Sequence, residues 1–182
     1  MGIEHKLKGV NVALGPMMNL GRVAEGGRNW EGFGADPYLA GEASYETILG
    51  MQEGGVVACA KHLVGKYVFP SLLFDLPLTI FNDSEQEQWR THSSSDIDDR
   101  TMHELYIHPF LRSVMAGVGS MMCSYSKCQL GPKLFRSRLN INHSPDLLNG
   151  TYACENDKVM NDIVKREIGF KGCEFFLLSD TP

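Results

Sequence analysis

Four short apolar runs, Val10 to Leu14, Val56 to Ala60, Val118 to Ser124 and Phe175 to Leu178, alternate with stretches of helical spacing. This alternation constrains the fold more than any other feature. Strand, helix and second strand close as a right-handed βαβ unit, because a right-twisted strand feeding a helix packs back onto its sheet only that way. Asp36-Pro37 opens the first intervening helix, Asp as the cap and Pro at the first position, where its missing N–H costs nothing. Ala40, Ser44, Tyr45, Ile48 and Leu49 then fall on one face, and Gly54-Gly55 ends it. Thr101 and Glu104 have the spacing of a capping box for a second helix carrying Met102, Leu105 and Tyr106. Pro109 marks a kink or restart, and that helix ends at Gly117. Asn156 caps a third, with Val159, Met160, Ile163 and Val164 on one side and Gly169 beyond its end. Residues 1–8 read as the tail of a further helix. The expected class is α/β with a parallel sheet. A complete (β/α)8 barrel takes about 250 residues, against 182 here, so a partial, incomplete barrel is expected.

The loop after the first strand carries the chemistry. Gly21 to Phe33, GRVAEGGRNWEGF, holds four glycines, two arginines, two glutamates and a tryptophan. Glycines let a backbone turn tightly and approach a ligand. Arg22, Arg28, Glu25, Glu31 and Trp30 supply charge, hydrogen bonds and one flat apolar face. That mix suits a polyol such as a sugar. It equally suits an arginine–glutamate knot that pins a long loop over one end of a barrel.

Charge and composition exclude several classes. The net charge of −5 argues against nucleic acid or an anionic membrane surface as partner. No apolar run of about eighteen residues exists, so no transmembrane helix is expected. MGIEHKLKGV has no apolar core of a signal peptide. The five cysteines, Cys59, Cys123, Cys128, Cys154 and Cys173, form no CxxC pair, so no metal site is expected, and their odd number leaves one thiol over unless chains pair. Asn82, Asn142 and Asn149 each head an Asn-x-Ser/Thr triplet, a glycosylation signal in a secreted protein.

Six pieces recur in order: KGVNVALGP, GGRNWEGFGADPYLAGE, ACAKHLVG, SSSDIDDRTMHELYIHPF, AGVGSMMCSYS and IVKREIGFKG. On these the chain resembles the catalytic barrel of the glycoside hydrolase family three β-glucosidases, fungal type. The resemblance implies retaining hydrolysis of terminal, non-reducing β-D-glucosyl residues, without a cofactor, on a β-glucoside or short β-glucan oligosaccharide. It implies an extracellular home. It places Arg28, Lys61, His62, Tyr125 and Met122 around the sugar and makes Asp180 the candidate nucleophile. Such an Asp must stay ionised, beside cations and hydrogen-bond donors. The acid/base Glu belongs to a second, α/β sandwich domain that the resemblance places beyond these 182 residues.

Departures from the pattern shape the remaining expectations. Residues 66–83 and 128–148 are read as insertions, the first as a translated intron, and both as disordered or poorly packed. Thr181 stands where the resemblance implies a Trp. Cys173 to Leu178 puts three extra residues before Ser179-Asp180, which would turn Asp180 to the other strand face. The isolated chain is therefore expected to be inactive. Within the resemblance, a β-xylosidase or N-acetylglucosaminidase is an alternative enzyme. An inert, truncated or degenerate product and a sugar-binding remnant are the alternatives without catalysis.

Overall fold

The structure is a computed structural model that describes residues 1–22, 24–64, 97, 99–124 and 153–175. The stretches 66–83 and 128–148, together with Tyr125 and Asp180, lie outside the described residues.

Strands β1 (Val12–Ala13), β2 (Val57–Leu63), β3 (Ser120–Cys123) and β4 (Cys173–Phe175) form one sheet in chain order, each parallel to the next. Helices occupy the connections: α1 (Gly2–Leu7) precedes β1, and α2 (Pro37–Glu53) joins β1 to β2. Before β3 come α3 (Asp99–Thr101), wider π turns over Met102–Tyr106, and α4 (His108–Met115). The π-wound α5 (Lys158–Glu167) precedes β4. Parallel strands in sequential order with a helix between neighbours make one arc of a (β/α)8 barrel. The chain is thus α/β, with part of such a barrel.

Local signals set the helix starts. Asp36 Oδ1 accepts the Leu39 N–H at 2.8 Å, with Pro37 in the first turn of α2. Asn156 Oδ1 accepts the Val159 N–H at 3.0 Å. Pro109 stands in the first turn of α4, a restart and not a kink. The capping box at Thr101 does not form. Thr101 already has helical backbone angles, one turn having begun at Asp99, and Glu104 reaches back to Arg100 at 2.8 Å. A residue inside a helix cannot offer its side chain as an N-cap.

Strand limits differ from the apolar runs. β1 is two residues long, and β2 runs on to Leu63, with Lys61 and His62 near its C-terminal end. β4 begins at Cys173, because Cys173, Glu174 and Phe175 already pair with Ser120, Met121 and Met122. Apolar runs report burial, whereas strand limits are set by partners available for the backbone.

The core lies between sheet and helices. Ile48 and Met51 of α2, Phe110 of α4 and Ile163 and Val164 of α5 pack against Ala58, Ala60 and Met121. Ala58 and Ala60 are fully buried, and the Ser120 hydroxyl donates to the Ala58 carbonyl at 2.9 Å. The α1–α2 contact depends on glycine. A Cβ on Gly54 would stand 2.8 Å from the Gly2 carbonyl carbon and 2.9 Å from the Ile3 nitrogen, both backbone atoms. Gly54→Ala should therefore push α1 off the end of α2 and cost about 1–3 kcal/mol. A lowered denaturation midpoint checks this; an unchanged midpoint contradicts it.

A disulfide joins Cys123, the last residue of β3, to Cys154. Cys59 of β2 is a buried thiol outside that bond. Among the described residues no group of three His, Cys, Asp or Glu side chains could hold a metal, and no helix is long and apolar enough to cross a membrane.

Candidate functional site

Backbone pairing first brings the long loop to β2. Beyond β1 the chain runs beside the end of β2: the Lys61 N–H donates to the Pro16 carbonyl at 3.1 Å, and the Met18 N–H to the Lys61 carbonyl at 2.8 Å. The loop closes where the Gly21 N–H meets the Gly34 carbonyl at 2.9 Å. Gly34 has φ +98°, a conformation that L side chains avoid. Gly32 lies so close to Met17 that a Cβ would stand 2.9 Å from the Met17 Cε.

Within this loop Asn29–Glu31 makes one tight turn, which sets Arg28 and Glu31 on one side, three residues apart. Arg28 Nε donates to Glu31 Oε1 at 2.6 Å and its terminal nitrogen to Oε2 at 3.0 Å, a two-pronged pair. Lys61 Nζ of β2 reaches Glu31 Oε2 at 2.8 Å. The three side chains are only 12–21 % exposed. Arg28, and next Lys61, hold the Glu31 carboxyl ionised, at about 2, against the opposing effect of partial burial. Glu31 therefore cannot donate a proton near neutral pH, but its oxygens can accept.

His62 follows Lys61 and is buried at 2 % exposure. Asn19 meets it at three points. The Asn19 amide donates to the His62 carbonyl at 2.9 Å, and Asn19 Oδ1 accepts the His62 N–H at 2.9 Å. The same oxygen lies 3.1 Å from the ring Nδ1. Met122 is buried on β3 as the register partner of Lys61. Ser124, next in the chain after Cys123, donates its hydroxyl to the Val64 carbonyl at 3.0 Å, which holds the end of β3 to β2.

Of the residues expected at the site, the structure thus brings Arg28 and Lys61 together on Glu31, with His62 next along the strand and Met122 beside Lys61. The arginine–glutamate knot forms, and it also holds Lys61. Trp30 is turned outward at 83 % exposure, and Arg22 lies 5.7 Å from the centre of the Tyr106 ring. Glu31 and Asn19 are not among the site residues that the resemblance implies. The Arg28-x-x-Glu31 spacing could have pointed to the first. Asn19 carries no signal in the sequence, since its partner is 43 residues away.

Comparison with known proteins follows the same lines. Residues 1–70 match the family described as Glycosyl hydrolase family 3 N terminal domain. The chain is 43% identical over 181 residues to a probable beta-glucosidase L of Aspergillus fumigatus, covering 99% of this chain and 19% of that protein. It is 46% identical over 174 residues to a probable beta-glucosidase G of Aspergillus flavus, covering 94% and 18%. Among solved structures, beta-glucosidase 3B from Thermotoga neapolitana in complex with glucose superposes with a TM-score of 0.71 at 28% identity, over 96% of this chain and 19% of that one. Beta-D-glucoside glucohydrolase from Trichoderma reesei does so with a TM-score of 0.67 at 38% identity, over 95% and 19%. The chain spans about a fifth of the length of the curated relatives it matches.

Proposed function

From the match of residues 1–70 to the glycosyl hydrolase family 3 N-terminal domain and the likeness to fungal β-glucosidases, we propose that this chain belongs to that family and carries the sugar-holding part of a β-glucosidase-type hydrolase. The substrate is a β-glucoside or short β-glucan oligosaccharide, cleaved at its terminal non-reducing glucose with retention, outside the cell. The single observation that carries this reading is the group of Arg28, Glu31 and Lys61 beside His62. Sugar hydroxyls both give and take hydrogen bonds. Arg28 and Lys61 only donate, and the ionised Glu31 only accepts, so the group matches both halves of a hydroxyl. Tyr125 and Met122 complete the pocket in this reading, and Asp180 is the nucleophile.

Retaining hydrolysis uses two carboxyl groups about 5–5.5 Å apart, one attacking and one carrying a proton. Glu31 cannot be the second, because its two cations keep it ionised. In this reading the proton donor is a carboxyl group other than Glu31, supplied by the second domain that the family resemblance implies. Loss of general acid–base help commonly costs about 10²- to 10⁴-fold. The purified 182-residue chain should therefore not turn over an aryl β-glucoside above background. Turnover that survives purification and vanishes in Asp180→Ala would make the chain a complete hydrolase and overturn this expectation. The Lys61 contact gives a second reading, a sugar-binding remnant without catalysis, the same two residues as support. It predicts glucose binding with turnover absent even when the rest of the enzyme is supplied.

A further inference from the structure

We infer that His103 is a pH-operated clasp: as an imidazolium it ties the turns before α4 to the end of α5, and it lets go of one hold when it loses a proton.

Both ring nitrogens face atoms that only accept. Nδ1 lies 2.7 Å from the Asp99 carbonyl oxygen, one turn back, and 3.8 Å from an Asp99 carboxylate oxygen. Nε2 lies 2.9 Å from Glu167 Oε2, on the last residue of α5. A carbonyl never donates, and an ionised carboxylate only accepts. Each nitrogen therefore needs its own proton, and a ring with two is an imidazolium. A neutral ring has one N–H, so it leaves either the carbonyl or the carboxylate facing a bare nitrogen.

The surrounding charges favour the doubly protonated form. Asp99 faces the ring from its own turn, and Glu167 faces it from α5. Lys158, at the start of α5, reaches Asp99 Oδ1 at 3.2 Å and adds a second tie between the same two segments. Arg100 and Glu104 pair with each other at 2.8 Å, and Arg166 pairs with Asp162. The Asp99 carbonyl, and next the Glu167 carboxylate, hold the ring proton above the ordinary imidazole value of 6.5, against the opposing effect of partial burial. The His103 side chain is 38 % exposed, so it exchanges its proton with water while the fold stays closed.

The clasp acts in a definite pH window. The folded ring titrates above 6.5, and an unfolded histidine at about 6.5. Its contribution is therefore fully present below the unfolded value and is lost as pH rises through the folded one. Glu31 has the opposite sign, since its contribution is lost only in acid. Both hold in mildly acidic solution. The segment that the clasp secures, Met102–Tyr106, buries Met102 and Tyr106. Arg22, at the start of the long loop, lies 5.7 Å from the centre of the Tyr106 ring, so the clasp holds a turn that also meets that loop.

The test uses the 182-residue chain labelled with 15N-histidine, in which the His103 signals are those absent from His103→Gln. At about pH 5.5 both ring nitrogens should carry protons. The titration midpoint should lie above 6.5, and Glu167→Gln should move it down. Urea denaturation gives the second readout. The wild type should have a higher midpoint than His103→Gln at about pH 5.5, and the gap should shrink as pH rises through the folded titration. A packing role alone would give a gap that pH does not change. A wild-type ring that titrates at or below 6.5, a titration unmoved by Glu167→Gln, or a stability gap that stays constant or widens with pH overturns the clasp.

Discussion

Glu31→Gln should unfold this protein at markedly lower denaturant and remove the acid sensitivity of its central loop. The carboxylate is the shared partner of Arg28 at 2.6 Å and Lys61 at 2.8 Å. Taking away its charge removes the anion that Arg28 and Lys61 share, and their side chains are only 21 % and 12 % exposed. Breaking a buried ion pair by removing one partner costs roughly 3–5 kcal/mol, because the remaining charge is left uncompensated. The slight exposure here lowers that to about 2–3 kcal/mol. The pH dependence has a definite sign. The folded carboxyl titrates at about 2, below the roughly 4.3 of an unfolded glutamate. Its contribution is fully present above the unfolded value and fades as pH falls through about 2. Chemical denaturation from neutral to strongly acid pH should show this slope in the wild type and lose it in Glu31→Gln. Equal stability of the two proteins at neutral pH would mean that the knot holds nothing.

Reduction of the Cys123–Cys154 bond should cost about as much or more. The bond closes a sequence separation of 31 residues. Chain-entropy reasoning assigns a loop of that size about 3–4 kcal/mol. It also fixes the end of β3, where Cys123 is the register partner of Leu63, directly beyond Lys61 and His62. Loss of the tether should therefore loosen the strand that carries Met122 as well as lower the unfolding midpoint. Denaturation with and without reductant measures the stability. Alkylation of both cysteines in the folded, unreduced protein would contradict the bond itself.

Much of the fold is legible in the sequence because its signals are local. Asp36 with Pro37, and Asn156 before Val159, each settle a helix start within one turn. The alternation of apolar runs with helical spacing implies the parallel order, since each connection is a βαβ crossover. Signals that depend on context fail. Thr101 has the spacing of a cap but sits one turn inside its helix. The π winding of Met102–Tyr106 and Lys158–Glu167 leaves the apolar face unchanged and has no composition of its own. Strand ends depend on neighbours far along the chain, so the apolar run stops at Ala60 while the strand runs on to Leu63.

The site divides in the same way. Arg28 and Lys61 can be named from the sequence as groups that meet, but not the atom on which they meet. Glu31 is three residues from Arg28, yet its contact with Lys61 spans a loop, a helix and half a strand. Asn19 is a common polar residue whose role arises only when the chain beyond β1 lies against β2. The choice of Cys154 as partner for Cys123, among five cysteines, likewise needs the packed fold.

Calorimetric titration of the 182-residue chain with glucose tests the central claim most directly, with Lys61→Met as the paired variant. Methionine keeps most of the stem and removes the ammonium that bonds Glu31. A charged hydrogen bond is worth about 1.5–3 kcal/mol, so affinity should fall roughly ten- to a hundredfold. Saturable binding in the wild type that is weakened to this extent in Lys61→Met is the predicted result. Absence of binding in a folded wild-type chain, or equal binding by the two proteins, would contradict the account.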